Sequence, residues 1–483
     1  MVQALFIHEM ERFVGRTREL KKLHDIDEES EPSIVIVYGR RRVGKTELLE
    51  QAFRDRNILK FEGIEGLSEA EQFANAMRQL ANYVQDDLLN KVNIKSWSEF
   101  FDIVAKYTKE GRWTIYLEEL QWLANYEDKL ISELKYAWDN LFRRNSEIIL
   151  VLCGSAPSFM LDKVVHSKAL YNRSQHEIHL QELNILDTKS FLKKRSDREI
   201  FNAYLTVGGV PEYLKWLDKE SSVFLSLCHN AFTSGSFFSR EYEKIFTSSL
   251  ANNKHYQEII ETLSKHKFLS REELATKLKI SSGGTLSTLL TDLDKCGFIS
   301  KYHPYNLNDG TNIIRYAIAD NYLHFYFNFI KPILTNIANG DYDDAPQSAI
   351  KMDSYAKWLG FAFERWCRRY NRLIAKILGF SGIQYRSGAF FSRTTNKKDP
   401  GYQIDLVFDR ADNVYTICEI KYLQSPAGIK VISDMEKKLS LFPNKGNKTL
   451  HKVLICNEGA DSSVLERAYF DQIITCKDLI EAS

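Results

Sequence analysis

Gly39-Arg40-Arg41-Arg42-Val43-Gly44-Lys45-Thr46 follows an apolar run at residues 34–38 and precedes a helical pattern that begins near Lys45. The stretch fits G-x-x-x-x-G-K-[ST] in the strand–loop–helix context of a phosphate-binding loop. Its glycines let backbone N–H groups face a phosphate, and the following helix adds a positive field at its N-terminus. Lys45 can reach the outer phosphates of ATP, and the Thr46 hydroxyl can bind magnesium. A glycine-containing turn without a ligand is the alternative, but the flanking strand and helix favour an ATP site.

Composition sets limits on the class of protein. A length of 483 residues predicts about three domains at roughly 150 residues each. The formal net charge of +1 gives the whole chain no long-range attraction to nucleic acid. Seven cysteines without a C-x-x-C pair argue against a disulfide framework or a zinc ribbon and favour a reducing cytoplasm. Residues 1–12 lack the apolar segment of a signal peptide, and no long apolar run predicts a membrane span.

Short apolar runs alternate with amphipathic stretches from residue 34 to about 180, which predicts an α/β domain with a parallel sheet at residues 1–185. Ligands of such sheets bind at the carboxyl ends of the strands, where Gly39 to Thr46 falls. The predicted strands are Ile34–Tyr38, Ile58–Glu62, Trp113–Leu117, Ile148–Cys153 and His176–Leu180, and the clearest helices between them are Glu69–Val84 and Asp128–Arg143.

The middle of the chain predicts a helical lid region at 186–250 and a winged-helix domain at 251–335. The winged-helix pattern comprises helices at His255–Lys265, Arg271–Leu278 and Gly284–Cys296, then strands around 298–302 and 313–318 with a turn at 306–310. The third helix carries Asp292 and Asp294 against Lys295 alone, which is unfavourable for the DNA major groove. This charge pattern favours docking to another domain or to a protein partner over DNA reading.

Acidic residues at the end of the third predicted strand complete the expected ATP site. We expect this strand one position over from the P-loop strand, with Glu118 holding magnesium and Glu119 orienting and deprotonating water. The alternative is a solvated helix start, where acids are also favoured. Ser155, after the fourth predicted strand, either senses the terminal phosphate or caps the next helix. Arg173 could reach a phosphate in its own site or in a neighbouring copy, or be an ordinary surface arginine.

Three further elements carry a resemblance to a known family. Phe13-Val14-Gly15-Arg16-Thr17-Arg18-Glu19-Leu20 resembles the F-x-G-R-x-x-E-L box of AAA+ and STAND-type ATPases. Leu170-Tyr171-Asn172-Arg173 resembles their L-Y-G-R element, and Gly208-Gly209-Val210-Pro211-Glu212 resembles their G-x-P element. Together with the winged helix, essentially the whole chain looks like the archaeal-type ATPase family. The resemblance implies that Arg16 and Pro211 contact nucleotide and that Arg173 is an arginine finger. Glu118 and Asn172 depart from the usual Asp and Gly, which predicts slow hydrolysis.

The C-terminal segment, 350–483, contains a second candidate site. Asp405 lies in a predicted strand, 401–408, and Glu419 and Lys421 lie in the next, 414–421, which is the core of the PD-(D/E)XK nuclease motif. Two carboxylates can hold magnesium, and the lysine can orient the attacking water and stabilise negative charge. Glu364, on a predicted helix upstream, is expected to complete the metal site of an α/β restriction-endonuclease-like domain.

A local surplus of positive charge surrounds this motif. Residues 351–400 carry eleven basic and three acidic side chains, so we expect residues 351–421 to contact a nucleic-acid backbone. Gln403 stands where the motif has its proline. The alternative for Asp405, Glu419 and Lys421 is an ion pair on an exposed sheet face. The sequence thus predicts an ATP switch coupled to a magnesium-dependent nuclease that acts on DNA or RNA. The alternatives are a nucleic-acid-binding ATPase with an inert nuclease fold and a signalling ATPase that binds protein partners.

Overall fold

The computed structural model describes residues 13–29, 31–250, 253–302, 305, 314–392, 401–444 and 446–483. The chain forms two compact units. The first contains the chain up to Glu182 together with residues 243–257 and 288–298, and the second contains residues 183–242, 258–287 and 299–483. The turn predicted at 306–310 lies outside the described residues. Within them, no helix is long and apolar enough to cross a membrane.

The first unit is built on a parallel sheet of five strands. The strands are β1 (Ser33–Tyr38), β2 (Asn57–Glu62), β3 (Trp113–Glu118), β4 (Ile148–Gly154) and β5 (Ser174–His179). They lie in the order β2-β3-β4-β1-β5, and every neighbouring pair is parallel. The predicted α/β fold with a parallel sheet is therefore confirmed. One detail was wrong, because β4 lies between β1 and β3, so the strand that carries Glu118 is not adjacent to the P-loop strand.

Helices cover both faces of this sheet, as its connectivity requires. They are α1 (Thr17–Glu28), α2 (Lys45–Ala52), α3 (Glu69–Val84), α4 (Trp97–Tyr107), α5 (Leu120–Leu123), α6 (Lys129–Asn140) and α7 (Pro157–Phe159). Alternate residues of β1 enter two different apolar clusters, with Ile34 and Ile36 in one and Val35 and Val37 in the other. Burial on both faces explains why this strand is apolar throughout.

A run of helices follows the parallel sheet in the chain, and its last three members belong to the winged-helix pattern. These helices are α8 (Ile185–Phe191), α9 (Asp197–Val207), α10 (Pro211–Leu217), α11 (Val223–Phe232), α12 (Phe237–Ser249), α13 (His255–Ser264), α14 (Arg271–Leu278) and α15 (Gly284–Lys295). The short strands β6 (Leu269–Ser270), β7 (Ile299–Tyr302) and β8 (Arg315–Ile318) form an antiparallel sheet in the order β6-β8-β7. Helices and short strands thus occur where the winged-helix pattern predicts them, and the winged-helix domain itself stays a prediction.

The C-terminal part contains a separate mixed sheet. Its strands, β9 (Tyr385–Ser392), β10 (Tyr402–Arg410), β11 (Val414–Lys421), β12 (Thr449–Cys456) and β13 (Gln472–Ile474), lie in the order β13-β12-β11-β10-β9. Strand β10 runs antiparallel to both of its neighbours, β9 and β11, and β11, β12 and β13 are parallel. The helices are α16 (Asn321–Phe325), α17 (Leu334–Ala338), α18 (Met352–Arg369), α19 (Asn371–Ile377), α20 (Lys430–Leu441), α21 (Ser462–Leu465) and α22 (Cys476–Glu481).

Candidate functional site

The P-loop connects the end of β1 to the start of α2 and has a tightly constrained backbone. Arg42 and Gly44 are left-handed, with φ of 71° and 86°. A Cβ atom on Gly39 would lie 2.3 Å from the carbonyl oxygen of Leu180, which follows β5. The first glycine of the motif is therefore required because the segment after β5 packs closely against it. The second glycine is required by its left-handed backbone conformation.

Lys45 points back into this loop. Its ammonium group donates to the carbonyl oxygens of Gly39, at 3.0 Å, and Arg40, at 3.2 Å, and the side chain is largely buried. Arg16 also contacts the loop, because its guanidinium donates to the carbonyl oxygen of Val43 at 2.9 Å. The box ahead of β1 and the P-loop are therefore brought together. A direct contact of Arg16 with nucleotide stays a prediction.

Glu118 is the acid that joins the P-loop to β3. Its Oε1 atom accepts hydrogen bonds from the Thr46 hydroxyl and, at 2.9 Å, from the Tyr116 hydroxyl. Its Oε2 atom lies 2.6 Å from the ammonium group of Lys60. Glu118 is 8% exposed, so it does not form a solvated helix start. The structure thus brings Thr46 and Glu118 together, and it adds Lys60 and Tyr116, which the sequence reasoning missed.

These oxygen atoms suit a magnesium ion. Mg²⁺ prefers hard oxygen ligands and is usually held by one or two carboxylates, water and substrate phosphates. The hydroxyl of Thr46 and the carboxylate of Glu118 form a donor set of this kind, within direct contact of each other. They are the residues that would hold the ion, and its binding stays a prediction.

Glu119 is held by a buried polar group. Its backbone is left-handed, with φ of 50°, and its Oε2 atom accepts from the Ser155 hydroxyl at 2.6 Å and the Ser155 N–H at 3.2 Å. Gln121 donates to the same carboxylate oxygen at 2.7 Å and to the Ser155 hydroxyl at 3.1 Å. Ser155 therefore contacts the predicted base, and α7 begins after Ala156 without a side-chain cap. Gln121 was missed, because an amide three positions beyond a strand carries no local signal.

Arg173 lies at the opposite end of the sheet from its own P-loop. Ser174 pairs with Ile34, at the start of β1, whereas His179 pairs with Tyr38, at its end. Five residues of strand span about 16 Å, which is beyond the reach of an arginine side chain. Arg173 instead forms a two-pronged ion pair with Asp139, at 2.8 and 2.9 Å. The expectation that Arg173 could reach a phosphate in its own site was wrong, and a finger role requires another copy of the chain.

The structure gives the backbone position of two other residues of the resemblance, Asn172 and Pro211. Asn172, which replaces the usual glycine before Arg173, has φ of 60°. Asparagine tolerates this left-handed conformation better than most residues, so the replacement preserves the backbone. Pro211 begins α10 in the second unit, and its contact with nucleotide stays a prediction.

The second half of α15 belongs to the first unit and makes polar contacts there. The carboxylate of Asp292 accepts from the hydroxyls of Ser158 and Tyr256, each at 2.6 Å, and Lys295 pairs with Asp162 at 2.9 Å. Ser158 and Asp162 follow β4 of the parallel sheet. Asp292 of this helix therefore contacts other parts of the first unit, and the preference for docking over DNA reading stays a prediction.

In the C-terminal sheet, a glutamine bridges two of the predicted metal ligands. Asp405 is buried, and its Oδ2 atom accepts from the N–H of Ile420 at 3.1 Å. Gln403, which replaces the proline of the motif, donates to Asp405 Oδ1 at 3.2 Å and to Glu364 Oε2 at 3.4 Å. Burial raises the pKa of Asp405, and the positive charge of Lys438 opposes this rise. Asp405 and Glu364 thus lie on either side of one amide group.

Glu419 has a different environment. It is 0% exposed and pairs with Lys421 at 2.7 Å and with Lys438 of α20 at 2.5 Å. The ion pair that was the alternative to a nuclease site is therefore present. It does not lie on an exposed sheet face, however, because Glu419 is buried, and Lys421 is on the same strand as Glu419. Lys438 was missed, although it stands in a lysine pair on the helix after β11.

The acids predicted to bind a metal in the C-terminal sheet do not form a ready metal site. Among the side chains that the structure describes, no group of three or more His, Cys, Asp and Glu could hold a metal ion. Glu364, Asp405 and Glu419 share one region, but Lys421 and Lys438 occupy the Glu419 carboxylate. Metal binding here stays a prediction that requires these lysines to move.

Comparisons with known proteins show what this chain is similar to. Residues 13–217 match the model of an ATPase domain found predominantly in Archaea. An uncharacterised protein of Methanocaldococcus jannaschii is 25% identical over 443 residues, which cover 89% of this chain and 92% of that protein. Among solved structures, the Walker-type ATPase of Pyrococcus abyssi is 19% identical, with a TM-score of 0.48, over 66% of this chain and 96% of its own. The Aeropyrum pernix ORC2 protein, solved as ADPNP–ADP complexes, is 12% identical with a TM-score of 0.46, over 69% and 97%.

Proposed function

Because residues 13–217 match the model of an ATPase domain found predominantly in Archaea, we propose that the chain is a switch that binds ATP with magnesium and hydrolyses it slowly. The nucleotide state then controls a nuclease-like C-terminal domain. The observation that carries the nucleotide part is the contact of Thr46 with Glu118, next to Glu119. It joins the P-loop to the carboxylate proposed to hold magnesium, and the proposed base, Glu119, is the next residue in the chain.

Each residue has a separate task in this proposal. The backbone N–H groups of Gly39–Thr46 and the ammonium group of Lys45 bind the phosphates. Thr46 and Glu118 would hold magnesium, which supplies neutralising charge at the phosphates when bound. Glu119 accepts a proton from the attacking water, and Ser155 and Gln121 fix its carboxylate. Slow hydrolysis is expected because Glu118 stands where an aspartate is usual, and its longer side chain would hold magnesium less favourably.

Binding of nucleotide tests the P-loop assignment. Titration calorimetry of the full chain with ADP and ATP should give saturable one-site binding, and Lys45→Ala should abolish it. Retained binding by the folded variant would refute the assignment. Lys163→Ala is a matched control, since Lys163 forms only an exposed pair with Asp128 at 2.9 Å.

For the C-terminal domain, we propose a magnesium-dependent nuclease that acts on DNA or RNA. The supporting observation is the shared region of Asp405, Glu419 and Lys421, with Glu364 contributed by α18. The basic segment 351–421 offers a surface for the phosphate backbone. An inert nuclease fold that only binds nucleic acid is the competing function, and the two lysines on buried Glu419 favour it.

A cleavage assay separates these functions. Single- and double-stranded DNA and RNA are incubated with the full chain, with and without ATP and magnesium. Metal-dependent products that disappear in Asp405→Ala/Lys421→Ala support the nuclease. Binding that weakens steeply with salt but yields no product supports the inert fold. Neither binding nor cleavage would favour a signalling ATPase whose winged helix contacts protein partners.

A further inference from the structure

Lys60 is an unexpected cation beside the predicted magnesium site. It lies on β2, next to β3, where it pairs with Tyr116 while Glu62 pairs with Glu118. Its ammonium group is 2.6 Å from Glu118 Oε2, and its side chain is only 23% exposed. Burial lowers the pKa of Lys60, but the hydrogen bond and charge of Glu118 outweigh burial and raise it overall. The 2.6 Å contact therefore places a cationic side chain directly against the predicted magnesium ligand.

Both oxygen atoms of Glu118 already have partners. Oε1 accepts from two hydroxyls, those of Thr46 and Tyr116, and Oε2 binds Lys60. The carboxylate predicted to serve magnesium is thus neutralised by a side chain of its own domain. Magnesium must share this carboxylate with Lys60 or displace it.

The surroundings of Lys60 are otherwise acidic. Glu50 of α2 lies 3.5 Å from its ammonium group, and the exposed Glu62 pairs in register with Glu118 on the neighbouring strand. Without Lys60, the carboxylate of Glu118, which contacts Thr46 of the P-loop, would lose its 2.6 Å cationic partner, and its negative charge would repel the phosphates of a nucleotide more strongly.

We propose that Lys60 is an internal counter-ion that makes nucleotide binding at this site only weakly dependent on magnesium. The proposal rests on the nucleotide site proposed above. Lys60 neutralises Glu118 when no metal is bound, so the phosphates meet less repulsion. It also competes with magnesium for the same carboxylate, so the metal contributes less to affinity than it would beside an unpaired acid.

The test compares ADP affinity in excess magnesium with ADP affinity in EDTA, measured by calorimetry on the full chain. In Lys60→Met, the affinity in EDTA falls while the affinity in magnesium is unchanged or tighter. We expect the dissociation constant in EDTA, divided by the dissociation constant in magnesium, to grow by about tenfold in this variant, which corresponds to about 1.4 kcal/mol. Lys60→Arg keeps the charge and should keep the wild-type ratio. Lys129→Met is the control, because Lys129 forms an exposed pair with Glu69 at 2.8 Å.

The results that would overturn the role of Lys60 differ from those that would overturn the nucleotide site. A folded Lys60→Met protein with the wild-type ratio overturns the proposal, as does a Lys60→Arg protein that behaves like Lys60→Met. If circular dichroism shows that Lys60→Met does not fold, Lys60→Gln is measured by the same ratio. A wild-type chain that binds ADP under neither condition refutes the nucleotide site itself, whereas binding with an unchanged ratio refutes the role of Lys60 alone.

Discussion

Glu419→Gln tests whether the buried ion pairs of the C-terminal sheet are structural. The wild-type carboxylate is 0% exposed and holds two ammonium groups, those of Lys421 and Lys438. Glutamine has nearly the same shape, so the change leaves no cavity. It removes the negative charge and turns one acceptor into an N–H group that faces a positively charged donor.

The expected cost is about 3 kcal/mol of unfolding free energy, since breaking a buried pair costs about 3–5 kcal/mol. We take the lower end because Lys421 and Lys438 are 29% and 20% exposed and can recover part of their hydration. Glu481→Gln is the control in the same unit. Its pair with Lys477, at 3.9 Å, is exposed, so the change should cost less than about 1 kcal/mol.

Hydrogen exchange of the peptide that spans β10 and β11, measured against urea, reports this local stability. The pairing raises the pKa of Lys421 despite its burial. The stabilisation is therefore complete below the unfolded lysine pKa of about 10.4 and is lost as the pH rises through the folded value. The difference in unfolding free energy between wild type and Glu419→Gln should therefore shrink as the pH rises through the folded pKa of Lys421. A deficit below about 1 kcal/mol at pH 7 would refute the reasoning.

Three more predictions follow from the geometry. Gly39→Ala should lower the melting temperature and weaken ADP binding, because its Cβ would lie 2.3 Å from the Leu180 carbonyl oxygen; unchanged calorimetric affinity would contradict this. Burial raises the pKa of Asp405, so its charge costs stability as the pH rises through the folded value. Asp405→Asn should therefore be more stable than wild type at pH 7 in urea titrations, with a gain that disappears below about pH 3.9. Arg173→Ala should leave ADP affinity unchanged, because Arg173 binds Asp139 at the far end of the sheet; a large loss of affinity would place it in its own site.

The sequence was sufficient where the signal is local. The apolar run of β1, the glycines and Lys45 follow one another directly, so the strand, the loop and the helix could be predicted within a residue or two. Glu118 could be assigned because an apolar strand that ends in acids reaches the carboxyl edge of a parallel sheet. The contact between Glu118 and Thr46 follows from that shared edge.

The remaining features depend on tertiary structure. Periodicity does not encode strand order, so the insertion of β4 between β1 and β3 was not predicted. Lys60 meets Glu118 only because β2 pairs with β3, and Lys438 meets Glu419 only because α20 packs beside β11. Arg173 precedes its strand, and only the parallel register shows that this end faces away from the P-loop.

Single-turnover hydrolysis of ATP by Glu119→Gln tests the central claim most directly. With enzyme in excess over radiolabelled ATP and magnesium, the variant should bind ATP with affinity within about twofold of wild type. It should hydrolyse ATP at least about a hundredfold more slowly, the usual contribution of a positioned general base. Hydrolysis at the wild-type rate by the folded variant would contradict the account, because Glu119 would then not be the base of this ATPase.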